Sequence, residues 1–295
     1  MLANPKEIIA DATKRNYAIA GMNVTTQEGI DAVILAAESL NTPVMLSFAQ
    51  VHNAYFPIEK MGPLMVLAAK EAKVPVIVHL DHGMDRDFIM KAVRYGFTSI
   101  MYDCSTRLFE ENIAELSAFA ELAHKLDIIV EAELGQMPSN IMGQGGCVEP
   151  GVVVSNIEQT YTNPDQALEF CVKTGVDLLT VSFGSIHGFP ANKPNLNIPL
   201  LKSIYEKTKG HASLVMHGTT GVPANQVTDA INNGVRKFNY FTGLGTAPAA
   251  KVAEYIAAAR EPVYYHEIAK LSVDIMTEHA KQQITLFSNG AQFAC

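Results

Sequence analysis

Residues Val74–Gly83 read VPVIVHLDHG. An apolar run of strand length between Pro75 and Gly83 predicts a buried parallel strand. His79, Asp81 and His82 lie at its end, where α/β proteins keep their chemistry. Side chains alternate along a strand, so His79 and Asp81 are expected on one face, with His82 at the exit and able to turn over the rim. Taken alone, the stretch fits equally well a buried histidine satisfied by a hydrogen bond beside a helix-capping aspartate.

The same rhythm of short apolar strand, turn and amphipathic helix runs outward from this stretch, beginning at Tyr17. Strands are expected at Ala18–Asn23, Pro43–Phe48, Pro75–Asp81, Thr98–Tyr102, Ile128–Leu134, Asp177–Phe183, Ser213–His217 and Val235–Tyr240. Eight strands with helices between them fit a closed (β/α)8 TIM barrel better than an open doubly wound sheet. Helices are expected at Thr25–Leu40 and Phe109–Lys125. In the first, Ile30, Val33, Ile34 and Ala37 form an apolar stripe, and Thr25 with Glu28 resembles a capping box.

After Lys251 helix-like sequence continues through Ala280, which predicts an additional C-terminal helical segment from about residue 260 on a single domain spanning 1–295. Such a tail packs on the barrel or on a neighbouring subunit. One connection is far longer than an ordinary βα loop, from Gly135 to Tyr161. Between Gly135 and Asn156 its one charged residue is Glu149, amid Gly143, Gly145, Gly146 and Gly151. A mobile lid over the barrel mouth, at about 135–161, fits that composition and length better than a disordered excursion.

The chain has 295 residues, 48% hydrophobic and 18% charged, enough for one large core. A net charge of -8 with scattered lysines and arginines leaves no nucleic-acid footprint. Cys104, Cys147, Cys171 and Cys295 show no CxxC spacing and are too sparse for a disulfide framework, so a reducing cytoplasmic setting is expected. Charges through MLANPKEIIADATKRNYAIAGMN argue against a signal peptide, and no apolar run approaches bilayer-spanning length.

The polar residues at strand ends are Asn23, Asp81, His82, Asp103, Glu131, Glu133, His187, His217 and Asn239. Three imidazoles, from His82, His187 and His217, converging on one rim suit a divalent metal with an open position, most simply zinc; the other reading is three unrelated histidines. Glycine follows each of them, as close backbone approach to a ligand requires. Gly218-Thr219-Thr220-Gly221 and Asn239-Tyr240-Phe241-Thr242-Gly243 follow the seventh and eighth strands and precede helices, where barrels often bind phosphate.

An ordered set of motifs then identifies a resemblance: HLDHG at His79–Gly83, SIMYDCS at Ser99–Ser105, VEAELG at Val130–Gly135, YTNPDQA at Tyr161–Ala167, TGVDLLTVSFGSIHG at Thr174–Gly188 and LVMHG at Leu214–Gly218. From Tyr17 to about Phe287 the chain resembles the class II, metal-dependent ketose-bisphosphate aldolases, particularly the tagatose-bisphosphate branch beside fructose-bisphosphate aldolase. The resemblance implies one zinc per subunit on His82, His187 and His217, with Asp103 and Glu133 as supporting or alternate ligands. It implies Asp81 as the acid/base at the C4 hydroxyl. It also implies substrate contacts from Asn23 and Asn239, a phosphate cradle including Gly188, Gly218 and Thr220, and a monovalent cation near the glycine carbonyls. Thr242 and Lys193 are further candidates for phosphate contact. The implied reaction is reversible cleavage of a ketose (bis)phosphate into dihydroxyacetone phosphate and an aldehyde through a zinc-stabilised enediolate, in a homodimer or homotetramer. The family places the second acid on its mobile loop, where Glu149 is the available carboxylate.

Departures accompany the likeness. HGTTG replaces HGGSG or HGAS after the seventh strand, and NYFT replaces NIDT or NVAT at the eighth, putting Phe241 where a small or acidic residue is expected. A serine for the second phosphate is replaced within Ser47–Gln50, and Gln292 stands where an arginine for that phosphate is expected. These changes favour reading the dihydroxyacetone phosphate end while losing the distal phosphate. Alternatives are therefore an aldolase for ketose 1-phosphates with an unphosphorylated aldehyde, or a barrel that binds a sugar phosphate without turnover. A metal hydrolase would want an HxH pair on the first strand, and Ala20–Asn23 offers none.

Overall fold

The computed structural model describes residues 1–138, 157–189 and 193–293. Strands β1 (Ile19–Asn23), β2 (Val44–Ala49), β3 (Val76–Gly83), β4 (Ser99–Tyr102), β5 (Ile129–Leu134), β6 (Leu178–Val181), β7 (Ser213–Met216) and β8 (Val235–Tyr240) pair in parallel and in sequence order, and β8 closes on β1. This is the (β/α)8 barrel expected, with each strand end within a residue or two of its predicted place.

Ten α-helices are described: α1 (Pro5–Arg15), α2 (Gln27–Ser39), α3 (Ile58–Glu71), α4 (Arg86–Tyr95), α5 (Phe109–His124), α6 (Pro164–Thr174), α7 (Ile198–Thr208), α8 (Ala224–Asn232), α9 (Thr242–Ala258) and α10 (Tyr265–Phe287). The cap of α2 is Thr26, whose hydroxyl accepts from the Gly29 amide at 3.2 Å, one residue beyond the Thr25–Glu28 box predicted. The tail also differs from expectation. Two helices span it, separated at residues 259–264 around Pro262, which cannot continue a helix without losing a backbone hydrogen bond. None of the described helices is long and apolar enough to cross a membrane.

The barrel interior is layered. Toward the N-terminal ends of the strands, Ile19, Met45, Ile77, Ile129, Leu178 and Val215 fill the bore, with Tyr17 and with Ile9 and Ala12 of α1. Full burial of one such aliphatic side chain contributes about 1.5–3 kcal/mol. Phe293 packs edge-on against Tyr17 at 5.0 Å, and Arg15 donates to the Gln292 carbonyl. Gln292 thus sits at the N-terminal end of its own barrel, opposite the strand ends that carry the polar residues, and cannot read a phosphate there. At the other end α10 is pinned to β8, where the Tyr240 hydroxyl meets His279 Nε2 at 2.8 Å and Phe238 stacks on Phe287 at 4.7 Å.

Candidate active site

A regular strand would point Asp81 and His82 to opposite faces. Here both line one pocket, because β3 is irregular at this point. Its register against β4 shifts between Leu80 and Gly83, and His82 takes φ 45°. The positive φ thus falls on the histidine itself, whereas Gly83 serves packing: a Cβ there would meet Ile89 and Leu80 at 2.8 Å and the Met101 carbonyl at 2.9 Å. Gly218 does adopt a positive φ, 66°, and a Cβ on it would lie 2.4 Å from the Ile186 carbonyl. Its bare backbone lets the end of β7 approach the loop after β6, which sets His217 beside His187.

The three rings meet edge to face or tilted, with centroids 4.9 Å apart for His82–His217, 5.4 Å for His82–His187 and 5.7 Å for His187–His217. His82 Nδ1 bonds Asp103 Oδ2 at 2.7 Å, leaving its Nε2 3.1 Å from His217 Nδ1. His217 Nε2 lies 3.1 Å from Glu131 Oε1. His187 Nδ1 is buried with no hydrogen-bond partner among the described residues. His82 and His217 thus turn one nitrogen toward each other and the other toward a carboxylate, the arrangement a metal centre asks of histidine. Among the described residues His82, His187 and His217 form one group able to hold an ion, and His82, Asp103 and Glu133 form another. The donor set therefore fits a divalent metal.

Asp81 lies beside this group, 4.0 Å from both His82 Nε2 and His217 Nε2. Its Oδ2 accepts from Asn23 Nδ2 at 2.7 Å and its Oδ1 from Asn239 Nδ2 at 2.8 Å. Burial opposes its ionisation, but His82, His217 and Lys237 hold the carboxyl well below the usual range. Burial likewise works against a proton on His82, yet Asp81 and Asp103 outweigh it and push the ring up to about 10. His187 and His217 are driven downward by burial and by neighbouring imidazoles. A metal at this site would compete with protons for the same ring nitrogens.

These residues open into a small pocket that also includes Gly188, Thr219, Thr220, Tyr240, Phe241 and Thr242. Thr242 begins α9, and Thr220 Oγ1 accepts from the Gly243 amide at 3.3 Å. No lysine or arginine lines the pocket among the described residues. Lys193 is exposed and stands outside it, and Glu149 lies outside the described residues. Phe241 packs on the His52 ring at 4.3 Å, bridging the segments after β8 and β2 across the end of β1.

Sequence reasoning missed two features. Glu131 was counted among strand-end residues without a role, yet its Oε1 backs His217, and Lys237 Nζ holds its other oxygen at 2.7 Å. The signal was present in the alternation. Positions 131 and 133 share a face, as do 237 and 239, and an interior lysine needs an interior acid. His52 carried no signal, because only the fold brings it against Phe241.

The sequence pattern of the family described as fructose-bisphosphate aldolase class-II matches residues 3–292. Among curated proteins, the uncharacterized protein YdjI of Escherichia coli K12 is 37% identical over 254 residues, covering 86% of this chain and 87% of that one. A probable fructose-bisphosphate aldolase of Bacillus subtilis is 34% identical over 260 residues, covering 87% of each. The crystal structure of the YdjI aldolase superposes with a TM-score of 0.84 at 34% identity, over 98% of this chain and 99% of that one. A putative fructose-1,6-bisphosphate aldolase from Coccidioides immitis shares the fold, with a TM-score of 0.84 at 24% identity over 97% and 96% of the two chains.

Proposed function

The chain belongs to the class II fructose-bisphosphate aldolase family and is an aldolase, a lyase, and we propose that it reversibly cleaves a ketose phosphate into dihydroxyacetone phosphate and an aldehyde, with zinc held by His82, His187 and His217. The observation that carries this reading is the convergence of three histidines beside a buried carboxylate in one pocket at the C-terminal mouth of the barrel. When bound, zinc supplies a Lewis acid that polarises the ketose carbonyl, so the negative charge left on C3 is stabilised without a Schiff-base lysine.

Asp81 takes the C4 hydroxyl proton as the C3–C4 bond breaks, and C4 departs as the aldehyde. Asn23 and Asn239 hold both its oxygens, which keeps the base ionised and aimed. Asn23 Oδ1 and Asn239 Oδ1 are buried acceptors without a protein partner among the described residues, suited to substrate hydroxyls. The substrate phosphate fits Gly188, Gly218, Thr220 and Thr242, where the N-terminus of α9 offers backbone N–H groups. Protonation of the remaining carbanion falls to Glu149 in this reading, and Lys193 has no role in it.

A ketose 1-phosphate is favoured over a bisphosphate by one observation: the pocket is walled on one side by the Phe241 ring, packed on His52, with no lysine or arginine among the described lining residues. A dianionic second phosphate would lack the charge-assisted partners that hold such groups. The test is dihydroxyacetone phosphate release from fructose and tagatose bisphosphates and from several ketose 1-phosphates, before and after EDTA and zinc restoration. Release that stops with chelation and returns with zinc is expected, at comparable or faster rates for 1-phosphates. Turnover unaffected by chelation would sink the metal assignment, and a strict need for the bisphosphate would sink the preference for 1-phosphates.

A further inference from the structure

Beneath the three histidines lies a polar layer that the proposed chemistry does not use. Glu131, Thr180, Lys237, His79 and Ser99 are all fully buried. Lys237 Nζ donates to Glu131 Oε2 at 2.7 Å, and Thr180 Oγ1 donates to Glu131 Oε1 at 2.9 Å. That same Oε1 lies 3.1 Å from His217 Nε2, while His217 Nδ1 faces His82 Nε2 at 3.1 Å. His79 closes the far side, with Nδ1 on Ser99 Oγ at 2.7 Å and Nε2 3.6 Å from Glu131 Oε2.

We propose that Glu131, held by Lys237 and Thr180, is a positioning residue that keeps His217 protonated on Nε2, so that its bare Nδ1 faces the centre shared with His82 and His187. The proposal rests on the reading of that centre as a metal site. A neutral imidazole has one N–H and one lone pair, so the partner of one nitrogen decides what the other offers. Both oxygens of Glu131 are fixed, Oε2 by a cation and Oε1 by a hydroxyl, and the remaining capacity of Oε1 is to accept from Nε2. Asp103 does the corresponding task for His82, from the opposite ring nitrogen.

A purely stabilising ion pair is the competing account, and the neighbouring layer argues against it. Toward the N-terminal end the bore is filled by Ile19, Met45, Ile77, Ile129, Leu178 and Val215, with no charge. Apolar residues of matched volume are generally as stabilising as a buried ion pair, or more so. What they cannot do is accept the N–H of His217.

The test compares zinc dissociation constants, by competition with a chelating dye, for the wild type and for Glu131→Gln, Thr180→Val and Ser99→Ala. Glu131→Gln leaves a neutral amide against Lys237 and removes the charged acceptor, so zinc affinity should fall about 10- to 100-fold, with a changed visible spectrum for the cobalt-substituted protein. Thr180→Val should cost a smaller factor in the same direction. Ser99→Ala loosens the same layer on the side away from His217, so its melting temperature should drop while zinc affinity holds. Equal affinity losses in all three variants, or none in Glu131→Gln, would overturn the proposal.

Histidine ¹⁵N NMR of the zinc-loaded wild type tests the tautomer without any substitution. His217 must carry its proton on Nε2, and a proton on Nδ1 overturns the idea even if Glu131→Gln fails to fold. Failure of the wild type to take up zinc at all would instead remove the metal reading itself, and this inference with it.

Discussion

The two ends of one barrel differ more than their sequences suggest at first sight. Toward the N-terminal end the inward positions of the strands are aliphatic or methionine, and α1 with Phe293 closes them off. A few ångströms along the same strands, the inward positions become Asn23, Ser47, His79, Asp81, Glu131, Thr180, Lys237 and Asn239, every one of them buried. The alternation that places a side chain in the bore is identical at both ends; only the chemistry of the side chain changes. The N-terminal half supplies cohesion and the C-terminal half spends some of it on polar groups that must be mutually satisfied.

That division can be broken most sharply at Asp81. Replacing it with Asn keeps the volume, and the Asn23 amide can turn to present its unpartnered oxygen. Turnover should fall by about 10²- to 10⁴-fold, the usual contribution of a positioned acid/base, while zinc affinity and melting temperature stay close to wild type. Steady-state rates of dihydroxyacetone phosphate release at saturating zinc measure this. A variant retaining a tenth or more of wild-type turnover would show that another group moves the proton.

The converse is expected from Met45→Ala. Met45 is fully buried on β2, a strand that carries none of the proposed ligands. Truncation in a packed bore should lower unfolding stability by about 2–5 kcal/mol in urea titrations. Zinc affinity of the folded protein should be unchanged. A large loss of zinc affinity would mean that the two ends are mechanically coupled.

The same contrast explains what was legible in the sequence. Strands such as Val74–Gly83 announce themselves by apolar runs ended by proline and glycine, so the barrel followed from local pattern. His82 and His217 were legible at strand ends and His187 in the loop that follows β6, each beside a glycine. What escaped depends on contacts between distant segments or on one torsion angle. The φ of 45° that turns His82 inward is not announced by the sequence, since a positive φ is uncommon for any residue but glycine and Gly83 stands next to it. The partnership of Glu131 with His217 depends on contacts across the bore, where Lys237 holds its second oxygen. The placement of Gln292 beside Arg15 reflects the path of the chain after α10, which no motif encodes.

His52 offers the finest test of how strained the polar end is. Both ring nitrogens are buried without partners among the described residues, and the ring lies against Phe241. Burial lowers its pKa from 6.5 to about 4, with Asp81 opposing and His82 assisting. The folded protein therefore binds fewer protons here than the unfolded chain between about pH 6.5 and pH 4, so this residue's contribution is intact above 6.5 and declines as pH falls through that window. Between pH 7.5 and pH 5 the wild type should lose about 2 kcal/mol more than His52→Gln, which does not titrate. Urea unfolding of metal-free wild type and variant at both pH values isolates the difference, because the other titrating groups are common to the two proteins. Parallel losses would mean that the imidazole already has a partner, such as a bound water, that tolerates its charge. The surroundings of Phe241 would then be more polar than a bare imidazole, and the case against a charged distal group on the substrate would weaken with it.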